Sequence, residues 1–381
     1  MAPLPHRPRK KRRIPDATAP AVASDALLSL PPEVLDEILS RLDLRDAVRT
    51  SALCRAWRRR WESLPSLDIN IPYDQQALWT VDCVLPRCSG RVRRFHTFLD
   101  ELSARRLDDW LLVFSRRGGV EDLNIHRNDN KFFPLHSSVF SWRRLRLPRP
   151  LHLLILSEVF IGGDCFIEWE IRAPNLWHLT ICSPYDCGWN LVDLPCLHSA
   201  VIELWEYGDR DFAKFLSGLV HVRKLMLSTF YAPVNGVSIL ETLPCTFGNL
   251  EILKLLMHFS ELPPILFMFC LLRNTPNLEK LKILICWGEE QKIEANEEFL
   301  NAQWTDRMCA KLQVVQLTGI DWLPNALSFM ELILSKARFL HSLAVSHDDK
   351  CSVSHKDPLN ELLKCRRALA QAQVLFQGKE T

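Results

Sequence analysis

The chain has 381 residues, and its 47 lysines and arginines nearly balance 45 aspartates and glutamates, for a formal net charge of +2. That balance gives no global field to draw in nucleic acid or a membrane surface, so neither is expected as a partner. A composition of 48% hydrophobic and 24% charged residues is that of an ordinary globular protein, long enough for two or three domains, and no run of about 18 uncharged apolar residues spans a bilayer.

The N-terminus opens with MAPLPHRPRKKRR and no apolar stretch follows, so it does not read as a secretory signal, and the chain is expected inside the cell. Residues 1–24 are Pro/Ala-rich and predicted to be a disordered basic tail. Within it Arg7, Arg9, Lys10, Lys11, Arg12 and Arg13 form a run that resembles a monopartite nuclear import signal; a basic tail with no import role is the alternative.

Residues 25–67 predict a compact three-helix unit. Pro31 and Pro32 stand where a first helical turn tolerates proline, and Val34, Leu35, Ile38, Leu39 and Leu42 recur with helical spacing. Asp43 is the expected N-cap of a second helix, with Asp46 as a shortened capping-box partner and Ala47, Val48, Ala52 and Leu53 as its buried side. A third stripe runs through Cys54, Trp57, Trp61 and Leu64, while Arg55, Arg58, Arg59 and Arg60 fall mostly off it and read as a solvated face. So small a unit cannot close a core on itself and is built to be closed by a partner.

The order Leu-Pro-x-x-Val-Leu-x-x-Ile-Leu-Ser-x-Leu followed by Arg-Asp-Ala-x-Arg-Thr-Ser-x-Leu-x-x-x-Trp-Arg-x-x-Trp closely resembles the F-box of plant F-box proteins. Leu30, Pro31, Ile38, Leu42, Leu53 and Trp57 match its hallmark apolar positions. One departure is Asp43, where the plant pattern usually has proline before Leu44. The resemblance implies docking on a Skp-type adaptor, which bridges to a cullin and RING ligase core, through Leu30, Pro31, Val34, Leu35, Ile38, Leu39, Leu42, Leu53 and Trp57.

Beyond this unit one pattern returns: an apolar residue, two spacers, a second apolar residue, one spacer, a third. It occurs at Val120-Leu123-Ile125, Trp142-Leu145-Leu147, Leu176-Leu179-Ile181, Leu197-Ala200-Ile202, Val222-Leu225-Leu227, Leu250-Leu253-Leu255, Leu278-Leu281-Ile283, Leu312-Val315-Leu317 and Leu340-Leu343-Val345. The last two positions alternate with polar ones, the period of a short strand with one face inward. Helical or irregular stretches, such as residues 209–219 and 264–273, return the chain to the next strand. Each unit exposes an apolar face unless a neighbour stacks on it, the logic of a repeat solenoid with parallel strands. An ordinary α/β sheet protein is the competing fold.

Residues 171–181 (IRAPNLWHLTI) and 246–283 resemble the repeats of plant F-box proteins with leucine-rich repeats, and residues 309–345 together with the tail LNELLKCRRALAQAQVLF resemble the FBD region that ends many such chains. The fold expected is therefore α/β: an N-terminal three-helix F-box over 25–67, an irregular leucine-rich-repeat solenoid with parallel strands over 80–308, and an FBD region over 309–377 that continues the repeats.

Residues of catalysis are missing from the sequence pattern. Gly118-Gly119 and Gly162-Gly163 are isolated pairs without the lysine and Ser/Thr of a P-loop, and neither a Gly-x-Ser-x-Gly elbow nor a His-Glu-x-x-His helix occurs. The thirteen cysteines are odd in number; Cys83/Cys88 and Cys182/Cys187 lack following histidine pairs, so no metal is expected and the thiols are expected reduced and mostly buried. No cofactor and no catalytic residue are expected. The resemblance implies a non-enzymatic substrate receptor of a Skp–cullin–F-box ubiquitin ligase, whose repeats and FBD region hold a protein substrate of unknown identity. The alternative is a nuclear scaffold or nucleic-acid-associated repeat protein acting outside the ligase through the basic tail.

Overall fold

A computed structural model of the chain describes residues 30–53, 55, 57–64, 66–71, 77–99, 106–127, 135–136, 145–146, 151–157, 161–162, 169–185, 189–206, 212–228, 243, 245–286, 297–320, 322–347 and 356–377. The chain divides into two compact units, residues 1–64 and 65–381.

The first unit holds α1 (Pro32–Ser40) and α2 (Leu44–Arg49), followed by 3-10 turns at Thr50–Ala52 and Arg60–Ser63. Pro31 and Pro32 start α1, and the Asp43 side chain accepts the Asp46 N–H at 2.8 Å to cap α2. The expected third helix is corrected. Trp57, Trp61 and Leu64 are buried as the stripe requires, and Cys54 lies outside the described residues, but Trp57 and Trp61 sit in turns, Leu64 follows the last of them, and Arg59 at φ 60° breaks any continuous helix. Crowded arginines at i, i+3 and i+4 (Arg55, Arg58, Arg59) repel along a helix and favour that break.

The second unit is organised by a 12-stranded parallel sheet whose strands follow in chain order: β1 (Ser66–Ile71), β2 (Arg91–Leu99), β3 (Asp122–Arg127), β6 (Leu153–Ser157), β9 (His178–Tyr185), β11 (Ser199–Glu206), β12 (Lys224–Ser228), β13 (Ile252–Met257), β14 (Lys280–Ile285), β15 (Val314–Ile320), β16 (Ser342–His347) and β17 (Gln373–Gln377). Sequential parallel neighbours with crossovers between them match a leucine-rich-repeat-like solenoid. β5 (Leu145–Arg146) joins β8 (Trp169–Arg172) and β10 (Trp189–Leu191) in a small side sheet, and β4 (Leu135–His136) pairs with β7 (Ile161–Gly162).

Register explains the repeat. Phe95, Leu123, Leu154, Leu179, Ala200, Leu225, Leu253, Leu281, Val315 and Leu343 lie side by side, and so do Thr97, Ile125, Leu156, Ile181, Ile202, Leu227, Leu255, Ile283, Leu317 and Val345; both rows are buried. Helices pack on the buried side: Phe95 meets Trp110 and Phe114 of α4 (Leu107–Arg116), with ring centroids 5.9 and 4.8 Å away. α4 is joined to α3 (Ala77–Val84) by the Trp110 Nε1 hydrogen bond to Asp82 Oδ1 at 2.9 Å. α5 (Phe212–Ser217) is a short crossover, whereas α6 (Leu262–Arg273) is apolar nearly all round and buried accordingly. α7 (Glu297–Gln303), α8 (Pro324–Lys336) and α9 (Lys356–Lys364) return the later crossovers, and buried Asn325 at the start of α8 donates through Nδ2 to the Phe259 carbonyl at 2.8 Å.

Eight of the nine expected repeat strands stand in the long sheet. The exception is Trp142-Leu145-Leu147, whose Leu145 lies in β5 of the side sheet; the corresponding place in the long sheet belongs to β6, with Leu151, Leu154 and Leu156 buried. No helix among the described residues is long and apolar enough to cross a membrane.

Candidate functional site

In the first unit, burial sorts the nine expected docking residues. Leu35, Leu39 and Trp57 are buried inside the unit, Leu30, Ile38 and Leu42 are half-buried, and Pro31, Val34 and Leu53 are exposed. Leu53 is 62% exposed and Val34 41% exposed. The expectation that Ala52 and Leu53 lie on the buried side of α2 is corrected: α2 ends at Arg49, and the 3-10 turn that follows swings both outward. Val34 and Leu53 thus give the described part of this unit an exposed aliphatic surface.

The polar frame holds that surface in place. Arg60, expected on a solvated face, donates instead to Asp36 Oδ1 at 2.6 Å and to the Pro32 carbonyl at 2.7 Å, fastening the last turn to the start of α1. Arg41 pairs with Glu37 at 2.7 Å and Arg49 with Asp46 at 3.1 Å; both pairs are exposed and contribute little. Arg60 was invisible as a tether because its partners stand 24 and 28 residues away. The basic residues Arg7 to Arg13 lie outside the described residues.

In the second unit, the rows between the buried ones form an open face. On β1–β3 its charges interlock: Asp68 accepts from Arg93 at 3.0 Å, and Arg94 lies 3.7 Å from Asp68 and 3.4 Å from Asp122. Beside Asp68 the Arg93 guanidinium is held above its ordinary pKa, first by the hydrogen bond and then by the charge.

Along the strand starts runs a second row, Arg93, Glu121, His152, Trp177, His198, Arg223 and Glu251. The Arg93 carbonyl receives the Glu121 N–H at 2.8 Å, and the carbonyls from Glu121 to Glu251 each receive two N–H groups from the next repeat, as Trp177 does from His198 (3.0 Å) and Ser199 (3.1 Å). The side chains therefore stack at strand spacing. The indole of Trp177, 55% exposed, lies parallel to the His198 ring at 4.3 Å and 5°. An open groove of about 910 Å3 follows this rim, lined by Asp122, His152, Trp177, His178, His198 and Arg223 among others. Burial lowers the pKa of His178, whose Nε2 shares a 2.9 Å hydrogen bond with Thr180 Oγ1.

The described thiols are not gathered into a reactive site. Among the described cysteines Cys88, Cys270 and Cys309 are buried, Cys83 and Cys196 exposed and four others half-buried, so the expectation of mostly buried thiols is corrected. Burial pushes Cys309 up to about 12, and burial, followed by neighbouring glutamates, takes Cys286 and Cys365 to about 11. Such shifts run opposite to what a thiolate nucleophile requires.

Comparison with known proteins gives this geometry a context. Residues 27–68 match the F-box domain family. An F-box/FBD/LRR-repeat protein of Arabidopsis thaliana is 24% identical, in an alignment covering 92% of this chain and 98% of the relative. A second Arabidopsis F-box/FBD/LRR-repeat protein is 42% identical over 60% of this chain and 46% of its own length, and an Arabidopsis F-box/LRR-repeat protein is 46% identical over 43% and 40%. The chain carries an F-box and is similar, along nearly its whole length, to plant F-box/FBD/LRR-repeat proteins.

Proposed function

We propose that this F-box protein is the substrate-recognition subunit of a Skp–cullin–F-box ubiquitin ligase. The observation that carries the reading is the F-box itself, matched over residues 27–68, with Val34 and Leu53 exposed beside half-buried Leu30, Ile38 and Leu42. Those residues and Pro31 contact a Skp-type adaptor; buried Leu35, Leu39 and Trp57 hold them in place. The adaptor links the chain to a cullin–RING core.

The repeats, with the FBD region over 309–377, hold a protein substrate. Catalysis is by proximity: the receptor raises the effective concentration of a substrate lysine near charged ubiquitin and makes no bond itself, so it is not an enzyme. The basic run Arg7 to Arg13 directs the chain to the nucleus.

Co-purification with a Skp-type adaptor tests this. Wild-type chain retains the adaptor and the triple variant Leu30→Ala, Pro31→Ala, Ile38→Ala loses it while staying folded. Failure of folded wild-type chain to retain any adaptor would place the protein outside the ligase.

A further inference from the structure

We propose that the open face of β12–β14 is a docking surface for an acidic peptide segment bearing an apolar anchor. The proposal rests on the receptor reading and specifies the class of substrate segment that the repeats take.

Four lysines converge there. Register places Lys224, Ile252 and Lys280 side by side at the first position of the three strands, and Met226, Lys254 and Lys282 side by side at the third. Lys254 and Lys282 are direct neighbours on adjacent strands. Like charges so placed repel across a sheet, so the charges of the cluster do not stabilise the fold.

The charges are also unspent. Among the described residues none of the four lysines has an ion-pair partner, whereas on β1–β3 Asp68, Arg94 and Asp122 neutralise one another on the same face. Onward from the cluster, β15 and β16 present Val314, Gln316, Ser342 and Ala344 at the same positions and add no carboxylate. Among the described residues the acids on and beside these strands flank the lysines. Glu251 and Glu279 stand one residue before β13 and β14, and Glu251 already faces Arg223 at 3.5 Å; Glu203 lies on β11.

Charge and spacing together select the partner. Ile252, Met226 and Leu284 are half-buried among the lysines, offering a foothold for one aliphatic or aromatic side chain. Lys280 and Lys282 are two residues apart on one strand, roughly 6.6 Å, the repeat of alternate side chains in an extended peptide, and the three strands span about 10 Å. A segment with Asp or Glu at alternate positions meets this lattice. A nucleic acid meets it poorly: no aromatic ring stands at the first or third positions of β12–β16 for a base to stack on, and Glu251 and Glu279 repel a phosphate backbone along the strand starts.

The test uses the full chain bound to its Skp-type adaptor. Fluorescence anisotropy follows a labelled twelve-residue peptide with Glu at alternate positions around a central Leu, the same peptide with Gln for Glu, and an oligothymidylate of equal length. The acidic peptide binds, its affinity falls with added salt, and Lys254→Gln with Lys282→Gln weakens it about 5- to 30-fold, while Lys311→Glu, an exposed control outside the patch, leaves it unchanged. Equal binding of the Gln peptide, tighter binding of the oligothymidylate, or indifference to the lysine pair would overturn the proposal. If the complex with the adaptor forms and the acidic peptide does not bind, the docking surface fails and the receptor reading stands; if the adaptor is not retained, the receptor reading itself fails.

Discussion

Gly319 shows how closely the late repeats are fitted. It lies in β15 at φ +77°, where the register against β16 slips between Thr318 and Ile320, so that Ile320 pairs with His347. A glycine in the left-handed region is what such a bulge requires. A Cβ added there would stand 2.7 Å from the Ile285 carbonyl oxygen, a backbone atom of β14 that cannot swing aside. For Gly319→Ala the left-handed φ costs about 1–2 kcal/mol and the overlap about 1–3 kcal/mol more, for a loss of about 2–5 kcal/mol. Gly248→Ala is the matched control: nothing lies within 4 Å of its added Cβ and its φ is not left-handed, so stability should move by no more than about 0.5–1 kcal/mol, in the stabilising direction if at all. Denaturant unfolding of both variants beside the wild type reads the difference. Equal midpoints for Gly319→Ala and Gly248→Ala would refute the reasoning.

Three further outcomes follow from the packing. Asn325→Ala removes the Nδ2 donor from the buried Phe259 carbonyl and should cost about 1–3 kcal/mol in the same assay; an unchanged midpoint would mean that this carbonyl is satisfied otherwise. Because burial holds His178 below its ordinary pKa, the unfolded chain takes up that proton first as the pH falls; the stability tied to neutral His178 is complete above about pH 6.5 and drains away on further acidification. His178→Gln should flatten that part of the pH dependence relative to wild type, and parallel curves would refute the assignment. In site-resolved maleimide labelling at neutral pH, exposed Cys83 and Cys196 should react well ahead of Cys309, which burial keeps protonated, and comparable rates for Cys309 would contradict its burial.

The sequence displays the repeat strands because each places apolar residues at fixed offsets, and eight of these patterns became neighbours in one sheet. Where the offset is disguised, the strand is not legible. Residues 151–156, LHLLIL, are apolar almost throughout, which hides the alternation of Leu151, Leu154 and Leu156. In β2 the buried row is continued by Thr97, a polar residue where leucine is usual. The F-box is legible as ordered residue types and cap chemistry, and Asp43 caps α2 as expected; the period of Trp57, Trp61 and Leu64 suggests a third helix, but turns bury the same side chains equally well. The docking residues that the resemblance implies could be named but not sorted by burial, since Leu35 and Val34 are adjacent in sequence and differ only in which side of α1 faces inward. The lysine lattice is a property of register: Lys224, Lys254, Lys280 and Lys282 are scattered over 59 residues and become one patch only when the strands pair.

The most direct measurement is a calorimetric titration of the full chain with a Skp-type adaptor, comparing wild type with Val34→Ala, Leu53→Ala. Fully burying a valine or leucine side chain is worth about 1.5–3 kcal/mol; scaled by exposures of 41% and 62%, the pair should contribute about 1.5–3 kcal/mol to the interface, or about 10- to 150-fold in Kd. The remaining shares of both side chains are packed within the fold, so the variant should lose some stability and yet stay folded, and its unfolding midpoint is measured beside the wild type. Tight wild-type binding that weakens by that factor in a variant that remains folded is the result expected. A wild-type chain that is folded and gives no adaptor binding, or a variant that binds as tightly as wild type, would contradict the assignment of this surface to the adaptor.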